Sequence, residues 1–493
     1  MITIDQLRLK IKQDIADWDP ADLPVATHVT QNLLHLLDLV NGLGAVGTDA
    51  PPHYLILAYD HAEKLMKTSI SLKTLSDWVI QNFEPSIPVI YDKEFNNVMG
   101  GFLHGAVQGR HRRIAIDEEH NRFYVAGAFD TYKGAPLNCI ARFFLDGSPD
   151  EVFNTNAATI FGSYLPNIGY SGALFISLQS DSKPVVAGFD SVMFQYAFDG
   201  NYILMGRATQ DGHIDQAYLT AIGSGLGIGG GYYTRGMTIQ PYDDKLVVTG
   251  DFWAFNGIPA PKIVRVFPNG TIDSAFMANI GTGFNAGMYN IMTQADGKLI
   301  ISGDASNFNG VTIPRMLRLN PDGTLDTPYM VAMGTGPNGT SYHGCLQADG
   351  KAVLCGSMNS FNGTASPGIV RINIDGTLDV AFSTNIGAGA NATVWGVAQQ
   401  ADGKLLVGGS FTTFNGLAHP GLVRLNIDGT MDTAYNNSLG TGFVGQVASI
   451  AVQSNGRIII AGDFTAFNGM PTPAGIIRLL PDMPPPNTIT SPW

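Results

Sequence analysis

The sequence predicts a mainly β protein: a seven-bladed β-propeller closed by a strand from its amino-terminal side and preceded by a small all-α domain. Two observations carry that reading. One phrase, G-D-F-x-x-F-N-G with its variants, starts at Gly127, Gly188, Gly250, Gly303, Gly356, Gly409 and Gly462, at steps of 61, 62, 53, 53, 53 and 53 residues. A fixed period of this size marks a repeat architecture. Between the phrases run short alternating apolar segments joined by Asp-Gly turns, the local chemistry of antiparallel hairpins.

Residues 1–85 are expected to form a helical docking domain. Ile4 to Trp18, Ala26 to Val40, Tyr54 to Met66 and Leu72 to Phe83 carry apolar residues at three- and four-residue spacings, as amphipathic helices do. Asn41-Gly42 and Asp49-Ala50-Pro51-Pro52 supply the breaks. After the link Glu84-Pro85-Ser86-Ile87-Pro88, residues 86–493 hold the propeller repeats. In the best-preserved unit, Val394 to Asn436, strands are expected over Trp395 to Gln399, Lys404 to Phe411, Leu422 to Asn426 and Thr430 to Tyr435. Four antiparallel strands per repeat is the composition of a propeller blade.

The ends of the units argue for a ring over a rod. Six units finish in D-x-x-F or D-x-x-Y, at Asp150 to Phe153, Asp215 to Tyr218, Asp273 to Phe276, Asp326 to Tyr329, Asp379 to Phe382 and Asp432 to Tyr435. The last unit lacks this ending, because the chain after Arg478 runs into Pro481-Asp482-Met483-Pro484-Pro485-Pro486. The missing piece stands before the first unit, where Asp92-Lys93-Glu94-Phe95 parallels Asp432-Thr433-Ala434-Tyr435. Supplying the outer strand of the last blade from this side closes the circle and removes two exposed sheet edges.

An arginine precedes each of these aspartates by eight residues: Arg142/Asp150, Arg207/Asp215, Arg265/Asp273, Arg318/Asp326, Arg371/Asp379 and Arg424/Asp432. An Asp-Gly or Asn-Gly turn lies between the two every time, so each pair is expected to face across the outer hairpin as a structural ion pair. Arg478 has no partner in its own unit. Ring closure assigns it Asp92.

The repeat resembles the delta-60 repeat of bacterial β-propeller modules, which usually occur in large surface or secreted proteins. Gln399-Gln400-Ala401-Asp402-Gly403-Lys404 and Arg424-Leu425-Asn426 carry the likeness, which covers residues 90–482 and fails in the second unit at Gly188-Phe189-Asp190. It implies the fold and no catalytic residue.

Composition narrows the chemistry. Net charge is −13 and the densest basic run is Arg110-His111-Arg112-Arg113, which argues against nucleic acid. The longest apolar stretch, Leu33 to Val46, is broken by His35, Asp38 and Asn41, so no membrane insertion is expected. The start, MITIDQLRLKIKQD, has no apolar signal core. Cys139, Cys345 and Cys355 make neither a disulfide framework nor a metal set. Gly225 to Gly230 matches G-x-G-x-x-G, but Tyr232-Tyr233-Thr234 follows where a dinucleotide site needs a helix. Asn426 to Asp432 has calcium-like spacing without the closing glutamate, and reads as a turn. The histidines 104, 111, 120, 213, 343 and 419 fall at different repeat positions, and Asp60, His61 and Glu63 read as a solvated helix face. No catalytic residue, cofactor or metal is expected.

Function should sit where the repeats break their rule. The insertions bearing Phe161, Tyr164 and Tyr170, and Tyr232 and Tyr233, are the candidate binding loops. Aromatic loops rich in Asn, Ser and Gly are the usual material of a glycan- or protein-binding face. The expectation is a non-enzymatic structural or binding protein, a phage virion component such as a tail fibre or receptor-binding protein, assembled in the host cytoplasm. Its helical domain would dock on other virion or scaffold proteins, its ring would meet a surface glycan or receptor, and it could form a homo-oligomer. A carbohydrate-active hydrolase or lyase and an intracellular scaffold are the alternatives.

Overall fold

A computed structural model describes residues 90–99, 103–104, 113–127, 129, 131–133, 135–137, 139–160, 173–188, 205–226, 234–472 and 475–481, all within one compact unit, Ile90–Trp493. The helical docking domain expected over 1–85 lies outside the described residues.

Among the described residues seven sheets follow one plan. An inner strand pairs antiparallel with a second, and the second with a third. In the first sheet these are Arg113–Asp117, Arg122–Ala126 and Ile140–Phe144. In the fourth they are Met288–Thr293, Leu299–Gly303 and Met316–Leu319. Second strands such as Leu246–Gly250 and Leu405–Gly409 are buried at every residue. A neighbouring sheet covers each of their faces, so they read as unbroken apolar runs instead of alternating ones.

The inner strands touch in the order Arg113–Asp117, Ala173–Leu178, Thr234–Ile239, Met288–Thr293, Ser341–Leu346, Val394–Gln399 and Phe443–Val452, and the last touches the first. The sheets therefore form a closed ring, numbered here as sheets 1 to 7. Each inner strand begins beside the end of its second strand, as in Thr234 opposite Gly250. The starts of the inner strands and the hairpins after the second strands thus share one face of the ring. The Asp-Gly turns between inner and second strands lie on the other.

The F-N-G ending builds those hairpins. Ala254–Phe255 pairs with Ile258–Pro259, with Asn256 and Gly257 at the tip at φ 48° and 73°. Two positive φ values in succession are what a tight type I′ hairpin requires, and Asn-Gly is the pair that tolerates them. The asparagine also reaches outward. Asn309 Oδ1 accepts the Thr282 N–H at 3.1 Å, and a Cβ on neighbouring Gly281 (φ 60°) would stand 2.3 Å from that oxygen.

One expected element is different. The segment that carries D-x-x-F or its equivalent, expected as a fourth strand, is a short helix: α1 Lys93–Met99, α2 Glu151–Ile160, α3 Gln216–Ile222, α4 Ser274–Ile280, α5 Thr327–Met333, α6 Val380–Ile386 and α7 Thr433–Ser438. The aspartate of D-x-x-F is the reason. Asp273 Oδ1 accepts the Phe276 N–H at 3.2 Å, which caps α4 at its amino end. Phe276 and Ile280 are both buried and four residues apart, a helical spacing. The arginine–aspartate pairs therefore link a third strand to a helix cap, and they face each other across the short hairpin before it, where Val266 bridges Ile272 and Asp273 N donates to Arg265 O at 2.9 Å.

Closure uses the same parts. The piece from the amino-terminal side is α1 with a single bridge, Tyr91 to Leu479, where a strand was expected. Arg478 Nε donates to Asp92 Oδ2 at 2.8 Å, and Arg478 N to Asn96 Oδ1 at 2.8 Å. Ile459, Ala461 and Ile476 of sheet 7 share an apolar cluster with Phe95, Phe123 and Phe143. Residues nearly 400 positions apart thus meet, and a buried ion pair sits at the join. Asp92→Ala leaves a buried guanidinium uncompensated, so it is expected to cost about 3–5 kcal/mol in urea unfolding of the full chain. A loss below about 1 kcal/mol would place the strength of the closure elsewhere.

Candidate functional site

The structure brings all fourteen ion-pair residues together as seven pairs. Arg142 Nη2 lies 2.7 Å from Asp150, Arg207 Nη2 2.9 Å from Asp215, Arg265 Nη2 2.9 Å from Asp273 and Arg318 Nη2 2.8 Å from Asp326. Arg371 Nε lies 2.9 Å from Asp379, Arg424 Nη2 2.8 Å from Asp432 and Arg478 Nε 2.8 Å from Asp92. Each guanidinium also lies over the aromatic ring of its D-x-x-F motif, from 3.7 Å at Tyr435 to 4.4 Å at Tyr218. Its remaining arm reaches the following sheet. Arg265 Nη1 donates to Pro321 O at 2.6 Å, Arg318 Nη1 to Ile374 O at 2.6 Å and Arg424 Nη1 to Pro481 O at 2.7 Å. Arg478 makes the same bond to Leu145 O of sheet 1, completing the circle.

For Asp215, Asp273, Asp326, Asp379 and Asp432, burial raises the carboxyl pKa. Helix-cap N–H groups, the arginine and a lysine such as Lys298, 3.0 Å from Asp326, outweigh it and hold the carboxyl below its usual value. These residues build the scaffold. They present no group to a ligand.

The candidate loop residues Phe161, Tyr164, Tyr170, Tyr232 and Tyr233 lie outside the described residues. The described part of the ring carries a different site, at the mouth framed by the starts of the inner strands. The inner–second ladder shifts register between Thr234 and Gly236, Met288 and Asn290, Ser341 and His343, and Val394 and Gly396. The bulged residues are Arg235, Tyr289, Tyr342 and Trp395. A bulge re-aims its side chain out of the pleat, and here four consecutive sheets direct theirs into one arc. Arg235 stacks over Tyr289 at 4.7 Å, Tyr289 meets Tyr342 edge-on at 5.4 Å, and Tyr342 meets Trp395 at 4.8 Å.

Polar groups flank the arc, drawn from the residue after the repeat glycine. In sheets 3 and 4 these are Asp251 and Asp304; in sheets 5 and 6 they are Ser357 and Ser410. Arg235 Nε donates to Asp251, and the Tyr289 hydroxyl donates to Asp304 at 2.7 Å. Burial and that carboxylate raise the Tyr289 pKa, so the phenol stays protonated. Trp395 Nε1 donates to Ser410 Oγ at 2.7 Å, and Ser410 Oγ to Gln446 Oε1 at 3.1 Å.

A second repeat position varies with the first. Gly368 and Gly421, in sheets 5 and 6, have φ 81°, and the equivalents in sheets 3 and 4 are Lys262 and Arg315, at φ 67° and 59°. A side chain in that region costs about 1–3 kcal/mol. Both cations reach the mouth carboxylates: Lys262 lies 3.6 Å from Asp251 and Arg315 3.5 Å from Asp304. Lys262 also lies 4.4 Å over the ring of Trp253, an exposed residue on the rim hairpin. Sheets 3 and 4 thus accept backbone strain to keep a charged pair where sheets 5 and 6 have serine and glycine.

One step deeper, the residue after each bulge and its equivalents form a layer comprising Arg113, Phe175, Gly236, Asn290, His343, Gly396 and Ser449. Arg113 lies 5.4 Å from the Phe175 ring centroid. Burial, then the charge of Arg113, lowers the His343 pKa to about 3, so its imidazole is neutral at pH 7. Burial pushes the Cys345 thiol up to about 12 and raises Cys355 as well, and no disulfide joins them. Among the described residues no His, Cys, Asp and Glu cluster has the makings of a metal site. No helix there is long and apolar enough to cross a membrane.

Fold and repeat together define a β-propeller repeat protein. Six segments, 121–153, 243–276, 294–327, 347–382, 400–435 and 453–482, match the model of a β-propeller domain family of unknown function, DUF5122. By sequence, the chain matches none of the curated proteins. Similar solved structures include the WD40 β-propeller domain of Doa1, at 11% identity over 78% of this chain and 95% of that one, with a TM-score of 0.44. A gluconolactonase from Xanthomonas campestris shares 12% identity over 76% and 86%, with a TM-score of 0.34. A catalytically inactive virginiamycin B lyase from Staphylococcus aureus shares 13% over 58% and 76%, with a TM-score of 0.30. Propeller enzymes thus stand among the similar structures, and the expectation that this chain is not an enzyme is withdrawn. At these identities the likeness concerns the fold alone.

Two outcomes test this electrostatic layout. Stability should fall in two steps as pH drops. His343, with its folded pKa below the unfolded value, contributes fully above about pH 6.5 and progressively less below it. The five depressed aspartates contribute fully above about pH 4 and are lost as pH falls through their folded values. In melting temperatures from pH 7.5 to 2.5, His343→Asn should remove the upper step and spare the lower one. For Arg315→Gly, relief of backbone strain should leave stability unchanged or raise it by up to about 1 kcal/mol in urea unfolding. A clear loss would show that the arginine is structural.

Proposed function

We propose that the ring is a carbohydrate-binding module whose ligand seats at the mouth of sheets 3 to 6. The observation that supports this most is the arc of bulged residues Arg235, Tyr289, Tyr342 and Trp395, in contact across four consecutive sheets. A sugar offers an apolar C–H face and a rim of hydroxyls. Aromatic rings suit the first, and fixed carboxylates, amides and hydroxyls suit the second. Asp251, Asp304, Ser410 and Gln446 supply those polar groups beside the arc, held by hydrogen bonds that order them before a ligand arrives. The resemblance of the repeat to delta-60 modules, which usually occur in surface or secreted proteins, supports the same reading. The proposal concerns the ring itself and holds for a virion component or for any other surface protein.

A glycan array with the full chain should identify a ligand class. Trp395→Ala and Tyr342→Ala should each weaken its binding about ten-fold or more in calorimetry, with the melting temperature little changed. An array with no binder, or variants that bind as well as the parent, would overturn the assignment.

A further inference from the structure

Beneath the arc lies a cation that no carboxylate among the described residues answers. Arg113 heads the inner strand of sheet 1, in the same layer as Asn290, His343 and Ser449. Its Nε and Nη1 are buried and make no hydrogen bond among the described residues. The seven scaffold arginines each hold an aspartate, and Arg235 and Arg315 have Asp251 and Asp304. Among the described residues no carboxylate pairs with Arg113, and the nearby Cys355 thiol, its pKa raised by burial, stays neutral at pH 7. Burial lowers the pKa of Arg113 only to about 10, so the guanidinium stays charged at neutral pH. A buried charge with unfilled donors is costly unless something supplies the missing acceptors.

We infer that Arg113 is the seat of an anionic group of the ligand, a carboxylate presented by an acidic sugar that enters the ring past the aromatic arc. The inference rests on the carbohydrate reading of the mouth and narrows it to uronic or similarly acidic saccharides. Guanidinium and carboxylate match in shape, since two parallel N–H groups meet two oxygens. Either edge, Nε with Nη2 or Nη1 with Nη2, can make that match, and each edge holds one of the two open donors, Nε and Nη1. His343 suits this layer, because its neutral imidazole adds no second cation and leaves the guanidinium to set the sign. Phe175, against the Arg113 guanidinium, limits where that side chain can swing.

The test separates this seat from the mouth above it. Glucuronate, acetate and glucose are titrated against the full chain at constant ionic strength, with melting temperature and calorimetry as readouts. Glucuronate should bind and stabilise, acetate should stabilise weakly, and glucose should bind least. Arg113→Gln should weaken glucuronate roughly ten- to hundred-fold, the value of a charge-assisted pair, and leave glucose unchanged. Without ligand, Arg113→Met should melt no lower than the parent, because an uncompensated charge has been removed. A structural arginine would instead make that variant melt lower, which overturns the inference. Trp395→Ala should keep the acetate response, which needs no aromatic arc. Acetate bound through Arg113 with no saccharide bound would sink the carbohydrate reading and leave an anion seat standing. Saccharides bound equally whether acidic or neutral, with Arg113→Gln silent, would sink the seat and leave the carbohydrate reading standing.

Discussion

Everything in the ring hangs on one fork-shaped contact repeated around a circle. A guanidinium from each third strand holds the aspartate that caps the next helix, covers that helix's aromatic residue and donates to a carbonyl of the following sheet. Only arginine can serve these neighbours at once. Its donors point in fixed, divergent directions and its plane can stack while its edge bonds. A lysine could satisfy the aspartate but not the stack and the carbonyl together. The pair is buried, so its Coulomb attraction is offset by desolvation, and its main effect is to fix geometry. It sets the angle of one sheet against the next, and seven repetitions of that angle make a closed ring.

Closure has a topological reason as well as an energetic one. A ring of sheets leaves no inner edge strand exposed, but the chain must begin and end somewhere in it. Here the break falls between a third strand and its helix, so the two sides of the join are bound by Arg478 and Asp92, Asn96, and the apolar cluster around Phe95. The helix hydrogen-bonds only sparsely to the strand it packs on. It can therefore come from the far end of the chain without disturbing the ladder.

The mouth obeys a different logic. Bulges at the starts of the inner strands free one side chain per sheet from packing, and the repeat tolerates arginine, tyrosine or tryptophan there because nothing in the core depends on it. The same freedom appears at the residue after the repeat glycine, which changes between Asp251, Asp304, Ser357, Ser410 and Asp463 while its surroundings hold. Lys262 and Arg315 sit in backbone conformations that glycine occupies elsewhere. Such positions mark function over stability, since strain persists where a side chain is needed.

The periodic phrase, the eight-residue Arg–Asp spacing and the partnership of Arg478 with Asp92 were all legible in the sequence, because each is local chemistry repeated at one interval. The four-residue spacing of Phe276 and Ile280 also held the evidence for helices, but the neighbouring Asn269-Gly270 turn suggested a full fourth strand, where the hairpin is a single bridge from Val266 to Ile272. The aromatic arc was not legible. Arg235, Tyr289, Tyr342 and Trp395 differ in kind, stand outside the repeated phrase, and become neighbours only when a bulge turns each one toward the same opening. The sequence by itself determined the unit, its turns and the bonds that join one unit to the next, since those rest on short-range geometry. Which side chains meet at the mouth, and that Arg113 stands beneath them without a carboxylate among the described residues, was decided only by closing the ring, because that step sets the distances between residues of different repeats.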